Sequence, residues 1–359
     1  MTGAFSIYDG LPVAVTGHTG FKGGWLTLML RHFGARISGF SLPCGSKDAL
    51  YERAGIRDSV AAETLADINE PGRVADWLTE TQPAILFHLA AQPLVRASYN
   101  DPAETYETNV MGLVRLLEAA RRVESLRAIV VVTTDKCYRN TEQIWGYRED
   151  DPLGGDDPYS ASKACAEIVS QSYAKSFFHR DASCLLATAR AGNVIGGGDW
   201  SVDRLVPDAI RALLNGEPLV LRNPGAIRPW QHVLEPLTGY LEVGRRLLNG
   251  DSAAATAWNF GPYADDQVPV SDLARGIVDC WGSGRIETAV DPKAVKEAAL
   301  LKLDIAKASS YLDFKPRYRV DRAIAETIEW YRGVFVEKKN AHTLTMEQIE
   351  RYLAAAPSP

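Results

Sequence analysis

The chain has 359 residues, 46% apolar and 23% charged, with 39 Lys and Arg against 45 Asp and Glu and a net charge of −6. That length accommodates one large α/β unit or two domains, and the acidic balance, with no basic run, excludes nucleic acid as the main partner. Cys44, Cys137, Cys165, Cys184 and Cys280 are widely spaced without a CxxC pair, which excludes a disulfide framework and a cysteine zinc site and points to a reducing compartment.

The start, MTGAFSIYDGLPVAVTG, lacks the cationic, apolar build of a signal peptide. No apolar run reaches the roughly 18 residues of a membrane span. A cytoplasmic location is therefore expected. Residues 12–17 predict a strand, 20–34 a helix stopped by Gly34, and 35–40 a second strand. A third strand falls within 60–68, followed by a helix near 70–80, and 84–91 predicts a fourth. Pro102 opens a long helix reaching about Val123, with proline near the first turn, where its missing N–H costs nothing. A fifth strand at 126–134, a helix from Tyr159 to Phe178 and a sixth strand at 182–194 complete the first half. Continuously apolar strands separated by helices imply a parallel sheet covered on both faces, a Rossmann-type doubly wound α/β fold.

After about Gly196 the rhythm breaks. Gly, Pro, Trp and Arg cluster in 196–232, with a helix expected at 203–215, a short strand at 218–222 and an amphipathic helix near 321–338. The expected division is a sheet domain of 1–195 plus about 233–260, and a smaller mixed α/β lobe of 196–232 and 261–359.

Gly17, Gly20 and Gly23 stand where the first strand meets the first helix. Side-chain-free positions there let a pyrophosphate approach the backbone, and the helix start offers N–H groups and partial positive charge. The GxxGxxG spacing resembles the short-chain dehydrogenase/reductase superfamily. The resemblance implies that Asp67 and Ile68 flank an adenine; a solvated strand end is the alternative for Asp67. The second strand ends SGFSLP, without the acid that usually holds ribose hydroxyls. Ser41 is a weaker candidate, and Lys47 leaves NADP open beside NAD.

DPYSASKACAE sets Tyr159 and Lys163 four residues apart, on one helical face. A phenol is a poor base near neutral pH, and an adjacent ammonium makes its anion accessible. A surface pair is the alternative, but this is where the superfamily carries YxxxK. In that reading Tyr159 takes the proton of a sugar hydroxyl and Thr134 bonds the same hydroxyl. Thr134, Asp135 and Lys136 end the fifth strand, the edge where open α/β sheets bind ligands. A dehydrogenase or epimerase has no use for the further acid–base pair Asp135–Lys136. Elimination of water from a 4-keto sugar does, since it needs a base at C5 and an acid at the C6 oxygen. Asp135 is the candidate acid and Lys136 the candidate base; a solubilising turn is the alternative.

The stretches VTGHTGFKGGWL, FHLAAQPLVRASYNDP, TDKCYRN, WGYREDDPLGGDDPYSASKACAE, ARAGNVIGGGDW and RNPGAIRPWQHVLEPLTGYL together resemble the CDP-glucose 4,6-dehydratases of the extended superfamily, over nearly the whole chain. Asp-Lys after the threonine discriminates, because the related dTDP-glucose enzymes carry Asp-Glu there. The resemblance implies NAD held by Gly17, Gly20, Phe21, Lys22, Gly23, Asp67, Ile68, Leu89, Ala90 and Ala91, together with Tyr159 and Lys163. It implies a nucleotide sugar, CDP-glucose, met by Arg96, Tyr99, Asn193, Arg204, Arg228 and Glu297, with Lys296 where the family usually has His or another polar residue. It implies a product that feeds deoxysugar synthesis for surface polysaccharide, and a homodimer formed as a four-helix bundle by helices 102–123 and 158–178, with Val110, Leu113, Leu117 and Ile168 facing outward. Trp230 and His232 read equally as packing residues. The histidines, His18 and His88 included, show no metal-ligand spacing, so no metal is expected.

Overall fold

The computed structural model describes residues 2–178, 183–289 and 300–358. Six strands come from the first half: β1 (Pro12–Thr16), β2 (Arg36–Ser41), β3 (Ala62–Leu65), β4 (Ile85–His88), β5 (Ala128–Val132) and β6 (Leu185–Ala191). A seventh, Ala257–Phe260, returns from far along the chain to pair with β6. All seven run parallel, in the order seventh strand, β6, β5, β4, β1, β2, β3. This is the expected doubly wound fold. The order reverses between β1 and β4, and such a switch point opens a crevice at the carboxyl ends of the strands.

Alternation along the strands builds two cores. Val13 and Val15 of β1, Ile85 and Phe87 of β4, and Ala128, Val130 and Val132 of β5 face one layer. There they meet Trp25, Leu26 and Met29 of the helix Phe21–His32 and the apolar face of Leu234–Leu248. The intervening residues Ala14, Leu86, Ile129 and Val131 face the opposite layer, formed by Arg73–Thr81, Gly112–Ala120 and Pro158–Ser176. A period of two with both faces apolar is what a doubly covered sheet demands.

The predicted long helix departs from expectation. It comprises Pro102–Tyr106, a π turn at Glu107–Met111 and Gly112–Ala120. Asn109, in that turn, accepts the Gln92 N–H at 2.8 Å and donates to Ser162 Oγ at 2.9 Å, so the widened turn binds two neighbouring segments together. A π turn inserts one residue and rotates the following face by about 100°. Leu113 and Leu117 are accordingly fully buried within this chain, not outward-facing as expected. Ile168 is exposed as expected, together with Tyr106 and Met111.

The fifth strand stops at Val132, which leaves Thr133 and Thr134 in the turn beyond it. The sixth stops at Ala191, and Val194–Ile195 pairs separately with Gln231–His232. The helix expected near 321–338 is Val320–Tyr331 followed by a π turn at Arg332–Val336. Helices Val95–Asn100, Val270–Trp281 and Ala341–Ala354 had no counterpart in the sequence reading. Beyond the sheet, Leu205–Asn215 packs near a two-stranded pair, Leu219–Leu221 with Ile286–Thr288. Among the described residues no helix is long and apolar enough to cross a membrane.

Candidate active site

β1 hands over to the helix Phe21–His32 at Gly17, whose φ of +76° is left-handed. A Cβ on Gly17 would come within 2.8 Å of the Ala90 backbone nitrogen, and one on Gly23 within 2.0 Å of the Gly17 oxygen. The turn closes only with glycine at both places. Thr16 Oγ1 accepts from the Leu89 and Ala90 N–H groups, each at 3.1 Å, and lies 2.8 Å from His88 Nδ1. The ends of β1 and β4 are thereby tied together below the crevice. This close backbone cradle at a helix start fits the diphosphate of NAD, with Phe21 and Lys22 supplying the first helical N–H groups beside Gly20.

Beyond β3, Ile68 is buried beneath Gly112, and Asp67 Oδ1 accepts the Asn69 N–H at 2.8 Å. The Ser41 hydroxyl is buried and shares a 2.7 Å bond with Thr19 Oγ1. Lys47 is exposed. His18 Nε2 lies 2.9 Å from Glu63 Oε1.

Across the crevice, Asp157 caps the helix Pro158–Ser176, its carboxylate accepting the Ser160 N–H at 2.9 Å, and Pro158 takes the first position. That start fixes Tyr159 and Lys163 on one face, both nine-tenths buried or more. Burial pushes the Tyr159 phenol up to about 12, while its hydrogen bond with Thr134 and the charge of Arg204 pull it back. Burial pulls Lys163 down to about 8, opposed by Glu167. The Lys163 ammonium donates to the Val132 carbonyl at 3.4 Å, at the end of β5.

The turn after β5 carries the second pair. Thr134 Oγ1 donates to Asp135 Oδ1 at 2.9 Å and accepts the Lys136 N–H at 3.3 Å. Asp135 is 1% exposed, and its Oδ2 has no hydrogen-bond partner among the described residues. Lys136 is half-buried, and its ammonium makes no ion pair among them. Lys22 is half-buried on the facing helix. Burial, reinforced by Arg204 and Lys163, pulls its ammonium down to about 7, while Asp135 and Asp199 hold it up. Thr134, Asp135, Tyr159, Lys163, Lys22 and Arg204 thus form one electrostatic cluster.

Arg204 Nη1 lies 3.0 Å from Asp199 Oδ2. Arg96 Nη1 lies 3.0 Å from Asp203 Oδ1, which Arg222 Nη1 also approaches at 3.1 Å. Tyr99, 45% exposed, is on the same short helix as Ser98, whose Oγ accepts the Tyr159 N–H at 3.1 Å. Asn193 takes a left-handed φ of +47°, and its carbonyl accepts the Gln231 N–H at 3.3 Å. Arg228 is buried on the short strand Ile227–Arg228, with Nη1 on the Ile227 carbonyl at 2.9 Å. Glu297 and Lys296 lie outside the described residues. His232 is fully buried between Trp25 and Tyr318, at ring distances of 5.9 and 5.8 Å, and Trp230 is buried in the main core. Both are packed into the core, and Trp230 Nε1 and His232 Nε2 have no hydrogen-bond partner among the described residues. The carboxylates Asp199 and Asp203 escaped the sequence reading, since nothing local marks which arginine an acid will meet.

A glycine cradle at the switch point, faced by a Tyr-x-x-x-Lys helix and a Thr at the end of β5, defines an extended short-chain dehydrogenase/reductase. Within that class the chain belongs to the family described as GDP-mannose 4,6 dehydratase, which matches residues 14–327. It is 41% identical to the CDP-glucose 4,6-dehydratase of Salmonella typhimurium strain LT2, over 98% of each chain. It is 30% identical to the dTDP-glucose 4,6-dehydratase of Streptomyces antibioticus, over 77% of each. Among solved structures, DesIV, a dTDP-glucose 4,6-dehydratase from Streptomyces venezuelae solved with NAD bound, superposes with a TM-score of 0.75 at 22% identity, covering 91% of this chain and 99% of that one.

Proposed function

We propose that the chain is an NAD-dependent CDP-D-glucose 4,6-dehydratase, a hydro-lyase whose product is CDP-4-dehydro-6-deoxy-D-glucose. The observation that carries the reading is the Asp135 carboxyl, buried in the cleft beside Thr134 with one oxygen unpartnered. A buried polar atom without a partner costs about 1–3 kcal/mol, and at the mouth of the cleft that oxygen is free to bond a bound substrate. The full-length likeness to the Salmonella enzyme supports the substrate.

NAD, held at the glycine cradle, would supply the hydride chemistry at C4 and C6. The Tyr159 phenolate takes the C4 hydroxyl proton while Thr134 orients the oxygen. Lys163, buried a turn away, stabilises the phenolate as a fixed cation. With a carbonyl at C4, the C5–H becomes acidic. Lys136, neutral, takes that proton; Asp135, protonated, gives its own to the C6 oxygen, which leaves as water. Lys136 would then return its proton to C5, and the proton held by Tyr159 would pass to Asp135, which restores every residue to its starting state with no net consumption of cofactor. Arg96, Tyr99, Asn193, Arg204, Arg228 and Glu297 are proposed to hold the nucleotide sugar, and a guanidinium suits its diphosphate by bidentate bonding.

Residues 1–195 with 233–260 are proposed as the NAD domain, and 196–232 with 261–359 as the sugar-nucleotide lobe. A homodimer through the helices that expose Tyr106, Met111 and Ile168 remains part of the reading, without Leu113 and Leu117. So does a cytoplasmic location, in keeping with five free cysteines.

Incubation with NAD and a panel of nucleotide-glucoses, followed by NMR, tests the reading. The expected product is a 4-keto-6-deoxyhexose from CDP-glucose alone. A C4-inverted hexose that keeps its C6 hydroxyl would instead establish an epimerase, and turnover confined to UDP- or dTDP-glucose would overturn the CDP assignment.

A further inference from the structure

Glu167 lies one helical turn beyond Lys163, on the same face of the helix Pro158–Ser176, and is 0% exposed. Its carboxylate accepts from the Thr133 hydroxyl, from Thr188 Oγ1 at 2.8 Å and from Arg190 Nη2 at 2.7 Å. Arg190, equally buried, donates through Nη1 to the Tyr138 hydroxyl at 2.7 Å, and Tyr138 donates to Asn259 Oδ1 at 2.7 Å. The chain of bonds therefore starts beside the redox lysine. One branch reaches Thr133, the residue preceding Thr134, and the other runs through Arg190 to Tyr138, which closes the turn carrying Asp135 and Lys136. Arg190 also stands two residues before Gly192, the backbone against which the Asp135 carboxyl rests.

We propose that Glu167 is the positioning residue that joins the two halves of the reaction, set one turn from Lys163 on the same buried helical face and bonded to the turn that bears Asp135 and Lys136. The inference rests on the redox role proposed for Tyr159 and Lys163. A buried ion pair is a poor source of stability, since desolvation offsets most of the attraction, so its retention at this depth calls for another reason. The groups that face Lys163 are Glu167 on its own helix, Cys137 in the turn, His88 on β4 and Lys22 on the first helix. Burial holds the His88 imidazole neutral and the Cys137 thiol protonated, and Lys22 repels. Glu167 is the one carboxylate among the described residues that acts on Lys163.

The test combines an NMR titration of ε-carbon-labelled lysine, with Lys163 assigned by Lys163→Arg, and the pH profile of kcat/KM. In Glu167→Gln the Lys163 midpoint is expected to fall by about one pH unit, and the alkaline limb of the profile to move with it. kcat should drop while KM for the nucleotide sugar holds. A Lys163 midpoint unmoved in a folded Glu167→Gln protein overturns the proposal. A midpoint that moves while the limb stays put upholds the action of Glu167 on Lys163 but overturns the redox role of Lys163. Should Glu167→Gln strand Arg190 and unfold, Glu167→Gln/Arg190→Met removes both buried charges together and answers the same question.

Discussion

Asp135 and Gly192 meet so closely that a methyl group on Gly192 would lie 1.8 Å from Asp135 Oδ2. The acid at the end of β5 is thus seated on bare backbone at the end of β6, and the position of one depends on the other lacking a side chain. Gly192→Ala should leave the fold intact while displacing the carboxyl by about an ångström. Such a displacement costs on the order of a hundredfold in kcat. Unchanged turnover with an unchanged melting curve would show that Asp135 is not the acid.

Tyr159→Phe removes the hydroxyl that bonds Thr134 without enlarging the site. Loss of a positioned base lowers rate by about a hundred- to ten-thousand-fold. Cofactor affinity, measured by calorimetry, should change little. A variant that keeps near-normal kcat would remove Tyr159 from the redox step.

Lys136→Ala should separate the two steps. Oxidation at C4 continues, and a 4-ketohexose that keeps its C6 oxygen builds up, readable by mass spectrometry after rapid quench. Exchange of the C5 hydrogen with deuterated solvent should fall in parallel. Undiminished exchange assigns the C5 base elsewhere.

The pH dependence follows from Lys163, pulled down to about 8 by burial. Below that value the ammonium is charged and stabilises the phenolate; above it the charge, and with it the stabilisation, is lost. kcat/KM, which reports the free enzyme, should decline above about pH 8. A profile flat to about pH 10 contradicts the assignment.

Glu235 gives a stability test remote from the chemistry. It is buried at the start of Leu234–Leu248, accepting from the Arg317 and Tyr318 N–H groups and the Tyr352 hydroxyl. Burial raises its carboxyl from 4.5 to about 7. Because the folded value exceeds the unfolded one, the native state binds the extra proton between those limits. Stability is therefore full below about 4.5 and declines as pH rises to about 7, by on the order of 3 kcal/mol. Glu235→Gln should flatten this slope in melting temperatures taken between about pH 5 and about pH 8. A slope that persists in the variant places the titration on another group.

Much of this was legible in the sequence wherever the signal is local. Strands such as AIVVV are uniformly apolar, the glycines sit at fixed offsets, and Tyr159 and Lys163 share a helical turn. What escaped depends on distant partners. Nothing around Arg96 announces Asp203, more than a hundred positions away, nor does anything around Glu167 announce Arg190. Nor does any local signal announce the π turn at Glu107–Met111, which inserts a residue ahead of Leu113 and Leu117, both buried. The helix Ala341–Ala354 does carry a local signal, Asn340, which caps it by accepting the Thr343 N–H.

The late return of Ala257–Phe260 to the sheet bears on how the protein is made. β6 is complete at Ala191, yet its outer neighbour emerges only after residues 192–256 have been synthesised. At about 5–20 residues per second the ribosome takes several seconds over that interval. Throughout, β6 offers a row of unpaired backbone groups to any passing strand, the configuration from which aggregation starts. Chains cut before Ala257 keep that edge open permanently, so recombinant fragments of the cofactor-binding half should collect in inclusion bodies unless the closing strand is supplied with them.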